Sequence, residues 1–138
     1  MKPLTRITFF FCSLAALTIS CSKDNSTLPA SGQKILLVQK HAWLMDSANT
    51  ITSDYNVMQQ DSLKQFYTFK TDILTITFLS ITYDLKIAYE APNKVYYWFP
   101  NETKDNNAFM TIENVNEKNL VTKETNSGMT RIRYFHSL

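Results

Sequence analysis

From residue 63 onward the chain reads as short strand-like segments, several alternating with a period of two, separated at near-regular intervals by turn residues. The clearest stretch sets Tyr83, Leu85, Ile87 and Tyr89 against Asp84, Lys86, Ala88 and Glu90. Successive side chains of a strand point to opposite faces, so this is the pattern of a strand with one face buried. No long stretch carries the repeat of an amphipathic helix. The chain has only two glycines, and Tyr, Phe, Trp, Thr, Ile and Val dominate the region, a strand-forming composition.

Residues 35–38 are apolar and short enough to be one helical turn or the entry to a strand. His41-Ala42-Trp43-Leu44-Met45 opens the first strand, with Trp43 expected in the core, and residues 49–61 read as a long polar connection. Further strands are expected at 63–71, 73–82, 83–91, 94–99 and 108–112. The segments 119–125 and 129–136 pair as a hairpin across Asn126-Ser127-Gly128. About eight short strands joined by tight turns predict an all-β fold, either an up-and-down antiparallel barrel or a sandwich. The barrel is preferred because closure leaves no exposed edge on a chain this rich in β-branched and aromatic residues.

Ahead of the domain, Lys2 and Arg6 precede an apolar run over residues 7–19, which ends in Ala16-Leu17-Thr18-Ile19-Ser20-Cys21. A basic start, a short apolar core, a small residue and a cysteine follow the order of a bacterial lipoprotein signal peptide. The run is shorter than the ~20 residues that span a hydrocarbon core. Residues 1–20 are therefore expected to be a lipoprotein signal peptide, with Cys21 the site of lipidation. Ordinary secretion and a retained helix are the alternatives. Residues 21–32 read as a polar tether, and residues 33–138 as one domain. Cys21-Ser22-Lys23-Asp24-Asn25 resembles the lipoprotein export signal of Bacteroidetes, which implies a lipid-anchored protein of the outer membrane, displayed at the cell surface.

Of the fourteen basic residues, Lys2 and Arg6 fall in the leader, which leaves twelve bases against twelve acids. That balance gives no electrostatic reason to expect nucleic acid as a partner. The two cysteines are Cys12, in the leader, and Cys21, so the domain has no disulfide.

Catalytic chemistry finds little support. The two histidines, His41 and His136, flank strands outside any nucleophile motif. No cluster has metal-ligand spacing, and no glycine-rich phosphate loop is present. No enzyme, metal or cofactor is expected. An apolar ligand inside a barrel would instead need inward aromatics, and the pool for such a lining is Tyr67, Phe69, Phe78, Tyr89, Tyr96, Trp98 and Tyr134. The run Tyr96-Tyr97-Trp98-Phe99 must present two aromatics to each face. Its outward pair suits a protein or glycan partner, the basis of an alternative reading as an interaction or accessory module.

Three segments carry a family resemblance: Leu36-Leu37 followed by Trp43; Phe66-Tyr67-Thr68-Phe69-Lys70-Thr71-Asp72; and the strand–turn–strand from Ile112 through Asn116 to Val121. On these, residues 33–138 resemble the lipocalin-like lipoproteins of Bacteroidetes, although Lys40-His41-Ala42 stands where a glycine is usual before the tryptophan. The resemblance implies a small barrel that holds an apolar ligand, with no catalytic residues to carry over.

The anchor has a direct test. Replacing Cys21 with Ser removes the thiol that would take the lipid, so the variant is expected to leave the membrane fraction on cell fractionation. Full retention of Cys21→Ser in membranes refutes lipidation at this residue.

Overall fold

The structure is a computed structural model that describes residues 31–90, 92–105 and 108–138. The expected signal peptide, Cys21 and most of the tether lie outside the described residues. The elements run α1 (Ser31–Lys40), β1 (Ala42–Ile51), β2 (Asn56–Gln60), β3 (Phe66–Phe69), β4 (Ile73–Phe78) and β5 (Ile81–Glu90), then β6 (Lys94–Trp98), β7 (Phe109–Val115), β8 (Asn119–Asn126) and β9 (Met129–Ser137). β1 and β3 to β9 form a closed, antiparallel eight-stranded barrel, and β2 is one extra strand hydrogen-bonded to β1. The fold is all-β, as the alternation predicts, and is consistent with a lipocalin-like barrel.

Closure is the work of β1. One edge pairs with β9 from Trp43↔Ser137 to Ile51↔Thr130. The other pairs first with β3, over Ala42 to Leu44, and then with β2, over Ser47 to Ile51. A bulge at Asp46 shifts the register between Met45 and Ser47. Bulges bend and twist a strand, and here the bend lies where β1 changes partner.

Directly opposed residues share a face, so the register defines the interior. Trp43, Tyr67, Phe69, Leu74, Ile87, Val95, Met110, Ile112, Val115, Leu120 and Phe135 are buried and pack as one cluster. Tyr67 and Phe135 meet edge to face at 4.9 Å between ring centroids.

α1 closes one end of this barrel. Its Val38 is fully buried in the cluster. The indole Nε1–H of Trp43 donates to the Val38 carbonyl at 2.9 Å, satisfying one of the carbonyls that a helix leaves free at its C-terminus. Polar ties surround this apolar seat: Gln39 donates to the Lys70 carbonyl, and Lys40 and His41 both reach the Glu117 carboxylate. Those two partners hold the Glu117 pKa below the ordinary carboxylate value.

Several expectations are corrected. Residues 35–38 belong to a full helix of ten residues, longer than a single turn. The polar segment 49–61 is no long connection, because β1 continues to Ile51 and β2 returns along it. Polar side chains suffice there because all five β2 residues are exposed. The strand expected over 73–82 is cut by a turn at Leu79-Ser80, where both residues have positive φ, 47° and 67°. Two-residue hairpin loops need that backbone, and it usually selects Asn or Gly. The Asn126-to-Met129 hairpin does use glycine: Ser127 and Gly128 sit at φ 48° and 79°.

Trp43 joins helix to barrel through both its burial and its hydrogen bond. Trp43→Ala is expected to lower unfolding free energy by ~3–5 kcal/mol in a urea titration. A loss below ~1 kcal/mol, the range of surface substitutions, would show that the indole does not hold this end closed.

Candidate functional site: the polar mouth of the barrel

Opposite α1, the interior changes character. β9 turns Phe135, Arg133 and Arg131 inward in succession, and β8 places Leu120, Thr122 and Glu124 beside them. The sequence thus steps from apolar to charged along one wall, from the closed end to the mouth. The Arg133 Nη1 meets Glu124 Oε2 at 2.8 Å, with side-chain exposures of only 13% and 19%. The other Glu124 oxygen accepts the Tyr97 hydroxyl. A half-buried carboxylate is thereby satisfied from two strands at once.

Beside this network lies a cavity of about 310 Å³, walled by Met45, Ala48 and Thr50 of β1, by Tyr67, by Arg131 and Arg133, and by the segment from Gln59 to Gln65. Asp61 organises that segment: its carboxylate accepts the backbone N–H of Leu63 and of Gln65, and the Gln65 side chain. Gln65 in turn accepts the Tyr67 hydroxyl at 3.3 Å. Arg131 makes no hydrogen bond or ion pair to the described residues. The fully buried Thr122, cross-strand from Arg133, has a hydroxyl with no partner among the described residues.

The expected aromatic lining divides by parity. Tyr67 lies on the cavity wall. Phe69 is buried toward the α1 end, where Tyr89 donates its hydroxyl to the Lys70 carbonyl. Phe78 has interior parity at the mouth end of β4 and stacks on Tyr83 at 5.6 Å. Tyr96, Trp98 and Tyr134 are corrections, because their cross-strand partners put them on the outer face: Ala88 and Phe109 for Tyr96, Lys86 for Trp98, and Ser47 and Val121 for Tyr134. Tyr97 takes the inward place between two of them. The ring of Tyr96 is covered, with the Lys104 ammonium 4.0 Å from its centroid, while its hydroxyl reaches Glu90. Trp98 lines a shallow outer groove with Pro100, Ile73 and Lys86.

Arg131, Arg133, Glu124 and Thr122 escape the sequence reading. Over residues 129–136 both parities hold an aromatic, Phe135 on one and Tyr134 on the other, so alternation alone cannot choose which faces inward. Arg131 and Arg133 share the Phe135 parity, and that spacing was the available signal.

Among the described residues no group of three or more His, Cys, Asp or Glu is placed to hold a metal ion. His136 Nδ1 lies 2.6 Å from Asp46 Oδ1, at an exposed position on β9 and the β1 bulge. No helix of the described residues is long and apolar enough to cross a membrane. No family model, curated protein or solved structure significantly matches the chain.

Burial raises the pKa of Tyr67, Tyr89 and Tyr97, in the last case with help from Glu124; for Tyr89 it reaches about 12. The hydrogen bond to Glu90 raises Tyr96. A raised folded-state pKa means that the native protein keeps a proton the unfolded chain has lost. The associated stability is complete below pH ~10, the unfolded phenol value, and falls as pH climbs from there through the folded pKa. Phenolate absorbance is expected to show these four tyrosines ionising above pH 10, with stability dropping between pH 10 and about 12, and Tyr89→Phe reducing that drop. All seven tyrosines ionising together near pH 10 would contradict the burial of these groups.

Proposed function

We propose that this chain is a lipid-anchored binding protein of the lipocalin-like type, tethered through Cys21 at the outer membrane, whose barrel takes a small molecule at its mouth. The observation that carries the reading is the cavity of about 310 Å³ at the end opposite α1, in a barrel whose other half is filled by its own side chains. Small-molecule sites occupy about 300–1,000 Å³ and combine apolar walls with a few polar groups, and the mouths of β-barrels are favoured positions. The ligand is small, with an apolar body and a polar portion. A wholly apolar guest would leave the Arg131 guanidinium, which lines the cavity, desolvated and unpaired.

A second reading, as an accessory module, draws on β2. Its five residues are exposed, and β1 is its one strand partner. An open edge of this kind accepts an added strand from another protein.

Native mass spectrometry of the protein released from its own membranes separates the two. The binding reading expects a non-covalent small-molecule adduct that is lost on denaturation. A bare mass, or a stoichiometric protein partner without small molecule, overturns it in favour of the β2 edge.

A further inference from the structure

Resting on the mouth as a binding site, we infer that its ligand is an anion: an amphiphile whose carboxylate, phosphate or sulfonate group seats on Arg131.

Arginine stays charged at any pH a protein survives, and it presents five N–H donors in a planar fork. When such a group is drawn out of water it needs acceptors, or it costs the fold free energy. Arg131 is half-buried on the cavity wall and has none among the described residues. Its cross-strand neighbour is Glu124, the natural counter-ion by register. Glu124 is already committed, one oxygen to Arg133 and the other to Tyr97. The other acid at the cavity, Asp61, is held by the backbone N–H groups of Leu63 and Gln65 in its own loop. The two acids are engaged elsewhere, and one guanidinium is left facing the space where a ligand would lie.

Two-oxygen anions match the guanidinium fork with paired hydrogen bonds, which sets their orientation as well as their affinity. The walls suit the rest of an amphiphile. Met45 and Ala48 line the cavity, and exposed Leu63 stands at its edge. Polar Gln59, Gln60, Ser62 and Gln65 complete the lining, which suits an amphiphile with a short apolar body. An anion at Arg131 with its apolar body against Met45, Ala48 and Leu63 satisfies both kinds of surface.

Two fluorescent probes with one aromatic body separate anion recognition from simple apolar binding. Anilinonaphthalene sulfonate carries a charge, and N-phenylnaphthylamine is its neutral counterpart. Both are titrated into the full chain carrying Cys21→Ser, so that no covalent lipid competes, and into the same chain with Arg131→Gln or Arg131→Lys. Far-ultraviolet circular dichroism confirms that each variant is folded. The expected result is a loss of about 10- to 100-fold in sulfonate affinity for Arg131→Gln, the range for a hydrogen bond to a charged group. Arg131→Lys should lose less, and the neutral probe should bind all three alike. Equal sulfonate affinity in wild type and Arg131→Gln overturns the anion inference while leaving small-molecule binding intact. Failure of both probes to bind the wild type removes the binding reading itself. Displacement of the sulfonate by decanoate or by decyl phosphate then tells a carboxylate ligand from a phosphate headgroup, and displacement by neither counts against the inference.

Discussion

β1 has to pair twice, with β9 along one edge and with β3 and then β2 along the other, and the rest of the molecule follows from that double duty. A sheet of this size with β1 unpaired from β9 would expose two edges and the inner face of every strand. Closure turns that face into a core, and it brings the first and last strands together, although the elements that join them span nearly the whole described chain. The bulge at Asp46 lets one strand serve two partners on its second edge. It frees the Asp46 carbonyl to accept the Asp61 N–H, and its carboxylate to reach His136 on β9. The loop that begins at Asp61 then forms one wall of the cavity. A local irregularity in the closing strand therefore sets the position of the mouth.

The interior has two halves with different physics. Toward α1 the inward residues are large and apolar, and Val38, Trp43, Phe69 and Leu74 have essentially no exposure. Burial there contributes in proportion to apolar area, and the Trp43 hydrogen bond removes the polar cost of seating a helix terminus on it. Toward the mouth, the same strands carry Thr122, Glu124, Arg131 and Arg133 inward. These groups are costly to desolvate, and the fold meets that cost for Glu124 and Arg133 but not for Arg131 or the Thr122 hydroxyl. The stable half holds the barrel together, which lets the other half carry unpaired polar groups.

The alternation made the strands legible, and the paucity of turn signals hid some of their ends. β5 stands close to its expected bounds because its alternation is clean, and β8 and β9 because the Asn126-Ser127-Gly128 turn fixes the hairpin between them. The Leu79-Ser80 turn was invisible because neither residue is a usual choice for positive φ, so 73–82 read as one strand. β2 was invisible for the opposite reason: a strand exposed on every residue has no buried face to impose a period. The site was less legible than the fold. Aromatics draw attention as ligand contacts, yet Tyr96, Trp98 and Tyr134 face outward, and Phe69 is spent on the core. What distinguishes the mouth is a pairing pattern, Glu124 engaged and Arg131 not, and pairing depends on which side chains the closed barrel brings across from one another.

That dependence bears on why a barrel would tolerate charge inside it at all. If Arg131 and Arg133 served stability alone, one acid per base would suffice, and replacing the whole set with apolar residues would serve as well or better. The wall instead carries two guanidiniums beside one inward carboxylate, and Tyr97 competes for that carboxylate from β6. With Tyr97 on one oxygen and Arg133 on the other, Glu124 forms no ion pair with its own cross-strand neighbour, Arg131. A phenol kept neutral by burial and by Glu124 remains a donor at any ordinary pH, so the arrangement does not relax as protons come and go. The Tyr97–Glu124–Arg133 chain thus occupies the counter-ion, and Arg131 is left as an open guanidinium at the edge of the cavity.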